Sequence, residues 1–509
     1  MWIIPRAKSL LKSLSARVKG LDAQGDETVP PSMITPTQEV WGVGLFSLLF
    51  FSWGLAYGLL DIMNYHVKIA LGISRGSAAL LAMSYYFAYL IVPLLVGGTI
   101  VKRFGYRAAA FVGLVLLATG DQLMSLGAAR LNFGGMCGAH FVVGMGVSTL
   151  ERCANAYVVN CGPRPRSTLR ILVAQSAAAL GTVIAPLLAN SVIFDPSKST
   201  VRPLPDPEVP GTCLMPPPAA KGEAGDLSSV VSFYRFLGLS VYVFAVLLAV
   251  LFYRTKWVVE PEVLRSPQLE HNRLMFWKHP LCSRRQLRLW LGVGANFLNL
   301  GCQVVVAQFL MEHLRVDACA SDRTAANGMM YAQILFLFGR LVAAAAIELP
   351  SLPGLKASKL VQNMFRPRIV LNVFLAGAVA FTGAGIGARG IVAIACICLV
   401  MFFEAPSFPM IFEGATAGMG TWTASGESLM IGSIAGGGLL PFINGVLVDH
   451  FGVAKSWSLA TAAFGVVFSY ALLWNIVPSF KEDIDKAHAE HKSGSTNEGK
   501  EIRSGSENS

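Results

Sequence analysis

The sequence predicts an all-α membrane protein of twelve transmembrane helices in two six-helix halves, and three observations carry that prediction. Apolar stretches of about twenty residues recur from Val40 to Trp474, the length a helix needs to cross about 30 Å of hydrocarbon. Of the 509 residues 54% are hydrophobic and only 14% charged, too few charges to cover a water-exposed exterior. A polar stretch at 254–286 divides the apolar stretches six and six, the layout of transporters built from two parallel halves.

Taken in order, the chain opens on a cytoplasmic N-terminal segment, 1–39. Within it Leu10, Leu11, Leu14, Val18 and Leu21 fall at helical spacing, with Lys8, Lys12, Arg17 and Lys19 on the other faces. That pattern predicts a basic amphipathic helix lying on the cytoplasmic leaflet, with an organellar transit peptide as the other reading. The N-terminal bundle, 40–253, is expected to hold spans at about 41–63, 78–101, 106–128, 133–157, 169–194 and 229–253. The loop at about 194–227 carries Pro203, Pro205, Pro207, Pro210 and Pro216 to Pro218, and is predicted to be extended. A cytoplasmic central loop, 254–286, precedes the C-terminal bundle, 287–477, with spans at about 287–311, 326–348, 368–388, 390–412, 427–449 and 455–477. The tail, 478–509, is Ser-, Glu- and Lys-rich and is expected to be a solvated cytoplasmic segment.

The net charge of +11 raises the question of a nucleic-acid surface, and its distribution answers it. With both termini in the cytoplasm, about 28 of the 41 Lys and Arg fall on that side, the bias of helical membrane proteins. The basicity is therefore topological; no nucleic-acid partner is expected, and the expected setting is the plasma membrane. Of the nine cysteines, only Cys213 and Cys319 fall in predicted outside loops, and a disulfide between them is open.

An ionisable side chain within an apolar span costs about 2.5–3.5 kcal/mol on insertion scales, so each is a functional candidate. They are Asp61, Asp121, His140, Glu151, Arg152, Arg340, Glu404 and Glu413. Low dielectric favours the neutral form of a carboxyl, so Asp61 and Glu151 are the candidates to carry a proton. The alternative is a static ion pair with Arg152 or Arg340; Arg152 follows Glu151 directly and so points about 100° away from it.

Amides supply donors and acceptors suited to hydroxyl-rich solutes. Within spans stand Asn155, Gln175, Asn296, Asn299, Gln303, Gln308 and Asn444. Trp53, Tyr57, Tyr85, Tyr86 and Tyr157 offer ring faces for a sugar, with interfacial anchoring as their other role. There is no GxxxxGK[ST] loop or HExxH helix, and no ATP coupling, metal, cofactor or enzymatic activity is expected.

Longer motifs connect these residues to a family. Span 1 reads Phe50-Phe51-Ser52-Trp53-Gly54-Leu55-Ala56-Tyr57-Gly58-Leu59-Leu60-Asp61, span 4 carries Leu150-Glu151-Arg152-Cys153-Ala154-Asn155, and span 5 holds Leu169-Arg170-Ile171-Leu172-Val173-Ala174-Gln175. The second half adds Gly301-Cys302-Gln303, Gly339-Arg340, Phe408-Pro409-Met410-Ile411-Phe412 and the Gly436 to Gly438 run. Over nearly all twelve spans the chain resembles the fucose:proton symporter family of the major facilitator superfamily, including its fungal members.

That resemblance implies a secondary active transporter moving a monosaccharide with a proton by alternating access, alone as a monomer in the lipid bilayer. Asp61 and Glu151 fall on the family's two intramembrane acids, and Gln175 and Gln303 on cavity amides. With Tyr57, Asn155 and Asn299, those two amides form the expected sugar site. A uniporter and a non-transporting sugar sensor remain the other readings. The departures are Tyr57, Gly58 and Leu60 where Asn is frequent, Ala178 for a polar residue, Arg152 for a small Thr, and Glu427 in a usually small, hydroxyl-rich segment.

Overall fold

The computed structural model describes residues 33–71, 73, 75–93, 98–162, 166–192, 204, 205, 213, 227–254, 259, 283–351, 358–419 and 422–489. The N-terminal half comprises α1 (Pro36–Leu71), α2 (Arg75–Val92), α3 (Gly98–Ala129), α4 (Phe133–Asn160), α5 (Ser167–Val192) and α6 (Ser228–Arg254). In the other half follow α7 (Arg284–Asp317), α8 (Asp322–Glu348), α9 (Pro367–Gly387), the two-part α10 (Gly390–Glu404 and Ser407–Thr416), the two-part α11 (Thr423–Gly432 and Gly436–Phe451) and α12 (Val453–Ile476). A last helix, α13, spans Pro478–Ala489. Among the described residues, eleven helical segments are long and apolar enough to cross a membrane, and Leu80–Val92 is a shorter apolar one. The predicted N-terminal surface helix and most of the proline-rich loop lie outside the described residues.

Local chemistry sets several helix starts. Asn132 caps α4 by accepting from the Gly135 N–H at 3.0 Å, and Ser283 with Gln286 forms a reciprocal capping box on α7. The outward face of α6 carries exposed Phe236, Leu239, Val243, Val246 and Val250, a stripe at helical spacing that suits hydrocarbon and not water.

The tenth span is broken where sequence reading made it continuous. Pro409 has no N–H for the carbonyl four residues back, so the Ala405 carbonyl is released from the helix ladder. It accepts instead from Arg340 Nε of α8, at 3.0 Å.

Two glycines show the twofold repetition of the chain. A β-carbon on Gly181 of α5 would lie 2.5 Å from the Phe51 carbonyl of α1, and one on Gly436 of α11 would lie 1.9 Å from the Phe297 carbonyl of α7. Each precedes a proline inside its helix by five residues, Pro186 and Pro441. The fifth helix of each half therefore packs backbone-close on the first.

The starts of α1, α5, α7 and α13 share one face of the bundle, called here the terminal face. Glu39 pairs with Arg170 at 3.0 Å, Ser167 donates to Glu413 at 3.3 Å, and Arg285 pairs with Asp483 at 3.0 Å. At the opposite face a disulfide joins Cys213 to Cys319, and the Cys213 N–H donates to the Val316 carbonyl at 2.9 Å.

The start of the tail corrects an expectation: Pro478–Ala489 is a helix docked on the bundle and not a solvated segment. Phe480 and Ile484, one turn apart, are buried against the bundle, while Asp483 meets Arg285 and Arg288, and Asp485 meets Arg366 and Arg368. Two apolar anchors and two acids facing four arginines suffice to dock one short helix.

Candidate functional site

Between the halves lies a cavity. Its N-terminal-half wall is largely aromatic, with Trp53 and Tyr57 from α1 and Tyr85, Tyr86 and Tyr89 from α2, joined by Thr182 of α5. The other wall supplies Gln303 of α7, Gln333, Phe336 and Arg340 of α8, Met401 of α10 and Ile434 of α11. Ring faces with a few convergent polar groups are the usual composition of a small-molecule site.

Glu151 stands directly behind this wall, 2% exposed. Tyr89 donates its hydroxyl proton to Glu151 Oε2 at 3.0 Å, and Trp53 Nε1 donates to the Tyr89 hydroxyl at 3.2 Å. A hydrogen-bonded path therefore leads from a cavity-lining ring to a buried carboxyl. On the other side, Gln175 Nε2 donates to Asn155 Oδ1 at 2.8 Å, and Asn155 Nδ2 donates to the Glu151 carbonyl at 2.9 Å.

Arg340 ties this network to the second half. Its guanidinium donates to the Gln175 carbonyl of α5 and lies 4.5 Å from the centre of the Phe336 ring. Thr182 Oγ1 makes a second bridge, donating to Gln333 Oε1 at 2.9 Å.

Of the residues singled out from sequence, the structure brings Trp53, Tyr57, Tyr85, Tyr86, Gln303 and Arg340 to the cavity. Asn155 and Gln175 are buried and hydrogen-bonded to each other beside Glu151; Asn299 is buried in α7 and is not among the lining residues. Tyr157 is buried elsewhere, stacked on Phe46. Asp61 belongs to α1, but its side chain lies outside the described residues.

Tyr89, Thr182 and Gln333 were not anticipated. Tyr89 sits one helical turn beyond Tyr85, and Gln333 is an amide within an apolar span, so the criteria applied to their neighbours would have found both.

The two charged departures turn out to be partners. Arg152 of α4 and Glu427 of α11 form an ion pair at 3.1 Å, 1% and 2% exposed. Arg152 Nε also donates to Ser428 at 3.0 Å, and Asn160 Nδ2 donates to Glu427 at 3.4 Å. The pair joins the halves on the terminal-face side of Glu151, since α4 runs on from there to its end at Asn160.

Two six-helix halves enclosing a cavity define a polytopic membrane protein of transporter architecture. The chain belongs to the Major Facilitator Superfamily, matched over residues 43–421. It is similar to a glucose/galactose transporter of Brucella abortus, 27% identical over 86% of this chain and 96% of the relative. It is also similar to the L-fucose-proton symporter of Escherichia coli, 24% identical over 84% of this chain and 91% of that protein. Among solved structures it resembles the superfamily transporter FucP in its outward conformation, with a TM-score of 0.65, 23% identity, and coverage of 86% of this chain and 99% of that one.

Proposed function

We propose that this protein is a proton-coupled symporter of a monosaccharide in the fucose:proton symporter branch of the superfamily, working by alternating access. The observation that carries the reading is the path Trp53 to Tyr89 to Glu151, which sets a buried carboxyl one hydrogen bond from the aromatic wall of the cavity. Bringing a charged carboxylate into a dry interior is costly, so closure around the site is favoured when a proton has neutralised it. The names of the relatives, for glucose, galactose and fucose, support a hexose-like substrate. Tyr57, Gln303, Gln175, Asn155 and Asn299 remain proposed as sugar-site residues, the last three as support behind the wall, and Asp61 as the second proton carrier. Resemblance to fungal members rests on the sequence motifs; the relatives named here are bacterial.

The disulfide supports an orientation with the terminal face in the cytoplasm and the plasma membrane as location. Disulfides persist in oxidising compartments, and Cys213–Cys319 lies opposite the chain ends. In that frame residues 1–39, 254–286 and 478–509 are the cytoplasmic segments flanking the two bundles.

Purified protein in liposomes tests the reading. Radiolabelled galactose, glucose and fucose are offered with and without an inward proton gradient, and accumulation of one of them above equilibrium is expected only with the gradient. Equilibration alone would make the protein a uniporter, and binding without uptake a sensor.

A further inference from the structure

Resting on the proton-coupled reading, we propose that Glu404 of α10 is a second proton-binding carboxyl, in the half opposite Glu151, and that the two acids share Arg340 as their counter-charge.

Glu404 is 3% exposed, and both its carboxyl oxygens are buried without a hydrogen-bond partner among the described residues. It follows cavity-lining Met401 by three positions and so lies on the same helix face, one turn nearer the terminal face. The helices packed on this part of α10 bring few charges to it. From α8 comes Arg340, whose Nε donates to the carbonyl of the adjacent Ala405, and from α7 Cys302, each near enough to act on Glu404 through its charge. Helix α9 packs Phe374 against Phe402 and Phe403, and its Arg368 is engaged by Asp485 and Asn475. The cation that acts on Glu404 acts on Glu151 as well.

Charge counting then decides the proton inventory. With both acids ionised, a single guanidinium leaves the dry centre with one excess negative charge; one proton on either acid restores neutrality. Glu151 accepts a hydrogen bond from Tyr89 and Glu404 accepts none, so in this conformation the proton rests on Glu404.

Arg340 is also the group that senses the separation of the halves. It donates to the Gln175 carbonyl across the interface and to the Ala405 carbonyl, the neighbour of Glu404. When α5 and α8 part, the first bond breaks and the guanidinium is free to pair with the Glu404 carboxylate. The Glu404 O–H bond then breaks and its proton passes to water on the open face. After the opposite opening the carboxylate takes a proton from water there, and no electron transfer is involved.

The test uses the full chain in liposomes with galactose, glucose and fucose as probes. Glu404→Gln mimics the neutral acid permanently, and gradient-driven accumulation is expected to fall at least about tenfold while counterflow exchange falls less than about threefold. Glu404→Asp should restore accumulation with a displaced pH profile. Infrared difference spectra should lose a carboxylic-acid C=O band, shifted by D2O, in Glu404→Gln, and also in Glu151→Gln, where the Glu404 carboxylate alone balances Arg340. Wild-type accumulation together with an unchanged pH profile in Glu404→Gln, or persistence of that band, overturns the proposal and leaves symport standing. Absence of gradient-driven accumulation in the wild type overturns both.

Discussion

The halves meet at two levels, and the levels are built from different chemistry. Around the cavity the halves meet through hydrogen bonds and ring faces: Thr182 to Gln333, the Arg340 guanidinium to a backbone carbonyl, and rings opposite Phe336 and Met401. Toward the terminal face the contact is ionic, with Arg152 and Glu427 locked together and reinforced by Ser428 and Asn160. Neutral bridges in an apolar setting average about 0.6 kcal/mol, whereas removing one partner of a buried ion pair costs about 3–5 kcal/mol. In this conformation the ion pair therefore contributes more to holding the halves together than a neutral bridge does.

The largest expected effect lies at the cavity level, where Glu151 is a buried carboxyl directly behind the wall. Glu151→Gln should abolish gradient-driven sugar accumulation and weaken binding, because the amide keeps the shape of the carboxyl and cannot exchange its proton. Uptake in liposomes with an imposed pH gradient checks this. Accumulation at the wild-type level would remove Glu151 from coupling and leave the cavity level purely structural.

Arg152→Thr comes next and acts on the other level. It leaves Glu427 buried and without its cation only while the terminal face is closed; once that face opens, water solvates the carboxylate. The substitution should shift the population toward opening by up to about 3–5 kcal/mol, read as faster hydrogen exchange in peptides 152–160 and 423–432. The double variant Arg152→Thr/Glu427→Ser should lie much nearer wild type, since no orphaned charge remains. Equal exchange in all three proteins would show that the pair is not a latch.

The same contrast explains what was legible in the sequence. Twelve spans, their division into halves and the buried acids follow from length, hydropathy and the cost of charge in hydrocarbon, all of which are local. The Gly181 and Gly436 spacing even carried the repetition that the structure expresses as α5 on α1 and α11 on α7. Pairing across the halves was not legible. Arg152 and Glu427 stood out one at a time as unusual residues, but they are 275 positions apart and nothing in either neighbourhood names the other. Docking of α13 was missed for a related reason: Phe480 and Ile484 are only two apolar residues in a polar tail, and their weight comes from arginines at Arg285, Arg288, Arg366 and Arg368.

A smaller effect concerns the packing that holds both levels in register. Gly436→Ala places a β-carbon where it would meet the Phe297 carbonyl at 1.9 Å, so α11 must move away from α7. A loss of about 1–3 kcal/mol is expected, seen as a lower Tm in detergent. Gly44→Ala, where a β-carbon meets nothing within 4 Å, is the control and should leave the Tm in place. An equal fall in both would mean that close approach does not set the cost at Gly436.

The smallest effect sharpens the boundary between gluing the halves and binding the solute. Thr182→Val keeps the shape of the side chain and removes the hydroxyl that donates to Gln333 at 2.9 Å. Because Gln333 Oε1 can then turn to water or to a sugar hydroxyl in the cavity, the cost is limited to about 0.6 kcal/mol, or a change of about threefold in affinity. Isothermal titration with the transported sugar measures it. A loss of tenfold or more would place Thr182 on the binding surface itself, and the cavity level would then hold its solute through the same bridge that joins its walls.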